Sequence, residues 1–186
     1  MTEARVIGVH AGARHDVPTA RTTVARSVYD LDIPLIDAAG RRASLSDLRG
    51  RVVVASMMYT SCTAICPAIA EDMKAIERRV PDAQRAAVAF TLFSIDPRRD
   101  TPRALARFAT ERGLARPGWR LFATSEDGVR TLAAVLGARY APEPAGGIAH
   151  SALIVVIDRD GVLRHRQAGV STGVEAVVQA IVAAAR

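Results

Sequence analysis

Arg51-Val-Val-Val-Ala-Ser-Met-Met58 is an unbroken apolar run, and residues 59–67 alone separate it from an amphipathic pattern that begins at Ala68. A strand that is apolar along its whole length must be covered on both faces. It therefore belongs in the middle of an α/β sheet, and the chain must turn from its carboxyl end directly into a helix. Both cysteines of the chain lie in that turn, in Tyr59-Thr-Ser-Cys62-Thr-Ala-Ile-Cys66-Pro67. A helix start offers unpaired backbone N–H groups and the positive end of the dipole, which favours thiolate over thiol. Thiols so placed can have pKa values of roughly 3.5–7.5 instead of about 8.5. The site is suited to redox or soft-metal chemistry.

The other patterns extend the same architecture. Ala86 to Ile95 is a second buried strand, Trp119 to Phe122 a short extended piece, and Ser151 to Ile157 a third core strand. Helical patterns run from Ala68 to Val80, from Thr101 to Arg112, from Ser125 to Leu136 and from Val174 to Ala185. Thr101 or Asp100 caps the second and Ser125 the third, which Gly137 ends. Leu31–Asp37 and Arg41–Leu45 form a hairpin turning at Ala39-Gly40, and Ser46–Gly50 a helical turn. Asp158-Arg-Asp-Gly161 turns the third core strand into Val162–Arg166. Residues 1–28 lack periodicity and read as a mobile arm, with His10 and His15 in a solvated tail. Residues 29–186 then make one domain, of a size that buries a real core. Strand, helix, strand, helix, antiparallel hairpin and helix is the order of a thioredoxin-like α/β fold. Such a fold has a central mixed sheet flanked by helices, here with an N-terminal hairpin extension.

Three residues separate the cysteines, where dithiol oxidoreductases usually carry two. Both sulfurs can point into one small volume, and two thiolates suit Cu(I), whereas structural zinc wants four ligands. His150, in Gly146-Gly-Ile-Ala-His150, falls in a glycine-containing loop entering the third core strand. That loop faces the reactive cysteines in thioredoxin-like folds, and oxidoreductases of the fold typically place a cis-proline there. No proline follows Pro144, so a histidine near that place points to a Cys₂His metal site. Asp96, ending the second core strand, would orient His150 or a water as a neighbouring carboxylate, or else start the turn before Pro97. Tyr59 borders the site, and Met58 reads as core.

Tyr59-Thr-x-Cys-x-x-x-Cys-Pro, Phe93-Ser-Ile-Asp96-Pro97-x-x-Asp100-Thr101-Pro102 and His150-Ser-Ala with Ile157-Asp158-x-x-Gly161 together resemble the Sco/SenC copper chaperones, over roughly residues 30–186. The resemblance implies a copper ion bound by Cys62, Cys66 and His150. It implies delivery to the CuA-bearing subunit of cytochrome c oxidase, or reduction of that centre's cysteines, with a copper donor protein upstream. It also implies a periplasmic or cell-envelope location, with the native leader or anchor outside this sequence. Composition alone fits the cytoplasm equally, and the N-terminus lacks the basic-then-apolar layout of a secretory signal.

Net charge is +6, with Lys74 the only lysine. The arginines are scattered and not interleaved with aromatics, so nucleic acid is not an expected partner. No apolar run is long enough to cross a bilayer. Copper chaperone and thiol-disulfide oxidoreductase are the two leading readings. In the second, Cys62 attacks, Cys66 resolves, and a redox-active Cys62–Cys66 disulfide forms. A peroxidase would need an arginine beside an activated cysteine and Thr60, and a redox or copper sensor would act through a partner contact.

Overall fold

The computed structural model describes residues 27–144 and 146–186. The expected arm therefore lies, for residues 1–26, outside the described residues. Ser27 and Val28 are part of the packed chain, since the Ser27 side chain caps a 3-10 turn over Val28–Asp30 and Val28 is buried.

At the centre stand β3 (Val52–Met58) and β4 (Val88–Ser94), parallel and in register from Val52↔Val88 to Met58↔Ser94. Every residue of both strands is buried. β5 (Trp119–Ala123) extends the parallel set beyond β4. On the other side of β3 runs β8 (Leu153–Ile157), antiparallel, followed by β9 (Leu163–Ala168) as the edge. The N-terminal hairpin of β1 (Leu35–Asp37) and β2 (Arg42–Ala43) joins the sheet through β5, giving the order β2-β1-β5-β4-β3-β8-β9. β9 carries exposed Arg164, Arg166 and Ala168 in alternation with part-buried residues, and charged side chains on an edge discourage further strand pairing.

Helix α1 (Ile65–Arg79) follows β3, and α5 (Val174–Ala184) packs beside it against β3 and β8. A four-residue helix, α2 (Asp82–Arg85), leads into β4. Helix α3 (Pro102–Glu111) lies against β5 and β1, and α4 (Glu126–Leu136) follows β5. Thr101 Oγ1 accepts from Ala104 N–H at 3.3 Å, so Thr101 is the cap of α3. Gly137 ends α4 in the left-handed region, φ 81°. Among the described residues, no helix is long and apolar enough to cross a membrane.

A two-stranded hairpin outside the main sheet was not legible in the sequence: β6 (Tyr140–Pro142) pairs with β7 (Ile148–His150). His150 is thus the last residue of a strand, opposite Tyr140, and not part of a glycine loop. The strands are three residues each and bounded by Pro142, Pro144 and Gly146-Gly147, a composition that reads as loop.

Candidate metal centre

Parallel strands put their carboxyl ends on one edge of a sheet, where open α/β folds place their sites. Here β3 ends at Met58 on that edge. Because β8 is antiparallel to β3, with Ala55 opposite Val155, its first residue Leu153 begins on the same edge. Residues 59–66 and His150 are therefore delivered to one place by the topology.

The Cys62 loop starts with an exposed Ser61 and continues with exposed Thr63 and Ala64, while the thiols lie just beneath it. Cys62 is 4% exposed and Cys66 1%. Helix α1 begins at Ile65, earlier than the pattern from Ala68 suggested, so Cys66 sits in its first turn. Pro67 is tolerated at the third position because the N–H it lacks would have had no partner within the helix. The N-cap, Ala64, has no side chain able to accept a hydrogen bond. Cys62 takes over that role: its sulfur accepts the Cys66 N–H at 3.4 Å.

The two thiols titrate apart. Burial would raise Cys62, but hydrogen bonds from the Cys66 thiol and from the N–H groups of Cys66, Ala64 and Ile65 outweigh it and bring the thiol below its usual value. Burial pushes Cys66 well up, and its hydrogen bond with Cys62 adds to that. The reduced pair thus holds a thiolate-prone Cys62 beside a Cys66 that keeps its proton.

His150 closes the group. Its Nε2 stands 3.2 Å from Cys66 Sγ, and its Nδ1 stands 3.2 Å from the Ser151 carbonyl. A carbonyl oxygen only accepts, so Nδ1 carries the proton and Nε2 presents its lone pair to the sulfur. Burial holds the imidazole below its usual pKa, against the hydrogen bond to Ser151, so the ring is neutral at neutral pH. The Tyr59 ring meets the His150 ring edge-on, centroids 5.8 Å apart. Its hydroxyl accepts the Ile148 N–H at 3.4 Å, tying the β6–β7 hairpin to the Cys loop. Burial raises the Tyr59 phenol, against that hydrogen bond.

One donor atom from each of Cys62, Cys66 and His150 lies within 4.8 Å of the others. Donors about 2.0–2.3 Å from a common ion stand roughly 3.5–4 Å apart in trigonal geometry. The group needs only small side-chain adjustments to close around an ion of that size. Among the described residues this group stops at three, short of the four ligands of a structural zinc site.

Asp96 does not bond to His150. Its carboxylate is 7% exposed and paired with Arg99. Asp100, expected as a possible helix cap, is turned inward: its carboxylate accepts from Ser94 Oγ at 2.6 Å, Thr60 Oγ1 at 2.6 Å and Thr60 N–H at 3.1 Å. Burial raises its pKa in spite of those hydrogen bonds. The Thr60 hydroxyl therefore spends its proton on Asp100. Met58 is 1% exposed and belongs to the core.

The SCO1/SenC family profile matches residues 23–186 of this chain. An SCO1 protein homolog of Bacillus subtilis is 32% identical over 80 residues, 43% of this chain and 41% of that protein, so the aligned stretch spans less than two thirds of this relative. The structure superimposes on a SCO1/SenC family lipoprotein from Bacillus anthracis with a TM-score of 0.75 at 23% identity, covering 85% of this chain and 96% of that one. It superimposes on Arabidopsis thaliana ScoI with copper bound with a TM-score of 0.71 at 19% identity, covering 81% and 96%. These likenesses carry the fold, and the thioredoxin-like architecture expected from the order of elements is the one found.

Proposed function

This chain belongs to the SCO1/SenC family, and we propose that it is a copper-binding metallochaperone whose cargo is held by Cys62, Cys66 and His150. The observation that carries the reading is the convergence of two sulfurs and one unprotonated imidazole nitrogen within 4.8 Å. Two thiolates and an imidazole suit both copper oxidation states, and the low ligand number favours Cu(I). The copper-bound state of the Arabidopsis relative supports the choice of metal.

Transfer follows as ligand exchange. His150 is only part-buried, whereas both sulfurs are closed off, so an incoming ligand reaches the ion from the hairpin side. The neutral imidazole leaves first, and the thiolates follow as acceptor sulfurs replace them. The acceptor on this reading is the subunit of cytochrome c oxidase that carries the CuA centre, loaded by way of a copper donor protein upstream. The lipoprotein nature of the Bacillus anthracis relative supports a place in the cell envelope. All three ligands bind deprotonated, so affinity falls as pH falls.

A second reading is favoured by the unequal thiols. A thiolate-prone Cys62 beside a protonated Cys66 is the arrangement of an attacking and a resolving cysteine. Cys62 would attack a disulfide of the partner protein, breaking its S–S bond and releasing one partner thiol. Cys66 would then attack Cys62 Sγ in the mixed disulfide and release the second, so that the partner disulfide takes up the two electrons. The pair gives up two electrons and two protons in becoming a disulfide, and a disulfide cannot bind copper.

Titration of the anaerobically reduced protein with Cu(II) tests both. The chaperone reading expects a sulfur-to-copper charge-transfer band saturating at one equivalent and lost in His150→Ala. Cys62→Ser or Cys66→Ser should abolish tight copper binding, while His150→Ala keeps much of the Cu(I) affinity. Reduction of the metal with a Cys62–Cys66 disulfide accumulating in both proteins would establish the reductant instead.

A further inference from the structure

His150 is carried by a hairpin of three-residue strands outside the main sheet, and a hairpin of that size does not hold its own geometry in water. Something must fix it. Tyr59 supplies one tether, at Ile148. A second comes from the far side of the turn, where Arg99 donates through a terminal nitrogen to the Gly146 carbonyl at 3.0 Å. The same guanidinium donates through Nε to the buried Asp96 carboxylate, and the Asp96 backbone N–H donates to Ser94 Oγ at 3.0 Å. Gly146 lies at φ 85°, in the left-handed region, so the peptide that receives Arg99 is set by a turn that glycine accommodates best. Arg99 itself rims a cleft of about 460 Å³ between the β4 end, α4 and the hairpin, so the clamp is open to solvent on one side.

We propose that Arg99, held by Asp96, is a positioning residue that fixes the His150 hairpin over the thiols and so sets how readily His150 leaves the metal. The inference rests on the copper reading above. A guanidinium is needed because one rigid fork must serve a carboxylate and a carbonyl at once; an ammonium presents a single point charge. Neither Arg99 nor Asp96 touches the three proposed ligands through a hydrogen bond, so removing the clamp leaves the donor set intact and changes only its assembly.

The test loads wild type, Arg99→Ala, Arg99→Lys and His150→Ala with one equivalent of copper. It records the charge-transfer band of proteins loaded with Cu(II) and, for proteins loaded separately with Cu(I) under anaerobic conditions, the rate of Cu(I) release to the chelator bathocuproine disulfonate. Arg99→Ala should weaken or shift the band in the direction of His150→Ala and speed release by about three- to tenfold, a range suited to a charge-assisted hydrogen bond on a half-exposed side chain. Arg99→Lys should recover little of it. Asp96→Asn, which keeps an acceptor without the charge, should fall between wild type and Arg99→Ala. Wild-type band and release rate in Arg99→Ala, with His150→Ala altered, overturn the clamp and leave the copper reading standing. No band in wild type overturns the copper reading itself. A drop in thermal midpoint with unchanged band and release would show Arg99 to be merely structural and would equally reject the proposal.

Discussion

Cys62 serves α1 as a cap as well as standing in the proposed site as a donor, and the two roles separate by substitution. Its sulfur stands where a serine or aspartate would normally satisfy the first N–H groups of a helix. Cys62→Ser keeps an acceptor at that place, so reduced, metal-free Cys62→Ser should unfold within about a few tenths of a kcal/mol of reduced, metal-free wild type. Cys62→Ala leaves the N–H groups of the first turn without their partner and should cost about 1 kcal/mol. Urea unfolding of the three reduced proteins decides the matter. Equal losses in both variants would mean that packing of the sulfur, not capping, is what the helix start needs. The capping role was hidden in the sequence because Cys62 lies two residues before the N-cap, where acceptors are not usually sought. The chemistry was more visible than the capping: with no other cysteines in the chain, one turn had to hold all the thiol chemistry.

At the level of elements, the site is an encounter between a rigid part and a tethered one. β3 and α1 belong to the buried core, whereas the β6–β7 hairpin is held from outside by Tyr59 and Arg99. Tyr59→Phe removes one tether and keeps the ring packed on His150. Amide exchange at Ile148 should then accelerate by roughly fivefold, the equivalent of about 1 kcal/mol for one hydrogen bond, while Ile76 in α1 remains as protected as before. Unchanged exchange at Ile148 would show that the hydroxyl does not hold the hairpin. The core strands were legible because a continuous apolar run has one stable place in an α/β protein. The hairpin was not, since three residues give no periodicity to read and its prolines and glycines mimic a loop. His150 was identified through the topology around it, while its partner Ser151 and the clamp residue Arg99 were missed. Both act through atoms that composition does not advertise: a backbone carbonyl, and a guanidinium whose target is 47 residues away in sequence. The sequence leaves the cap open between Thr101 and Asp100 for a related reason: both are good caps, and only the packing reveals that Thr101 caps α3 while Asp100 turns inward.

For the molecule as a whole, the pole opposite the candidate metal centre is fixed by the turn between β8 and β9. Val28 N–H donates to the Gly161 carbonyl at 2.9 Å, and Gly161, at φ 85°, leaves no room for a side chain against Ser27 and Tyr29. Asp158 organises this turn: one carboxylate oxygen accepts the N–H groups of Asp160 and Val162 at 3.0 and 2.9 Å, and the other accepts Arg164 Nε at 2.6 Å. Burial would raise the Asp158 pKa, but the Val162 N–H, Arg164 and Asp160 N–H together hold it below its usual value. A folded-state pKa below the unfolded one stabilises the protein wherever the group is ionised in both states. The contribution is present above the unfolded value of about 3.9 and is lost as pH falls through the lower folded value. Asp158→Asn keeps the shape and one acceptor but has no charge to titrate. Urea midpoints of the two proteins should therefore differ most from pH 5 to pH 7 and converge as the solution is acidified below about pH 4. A gap that stays constant down to pH 3 would mean that the turn depends on the shape of the side chain and not on its charge. Copper loading should be the same in Asp158→Asn as in wild type at pH 7, because the full length of β8 and β3 separates this turn from the edge where Cys62, Cys66 and His150 meet.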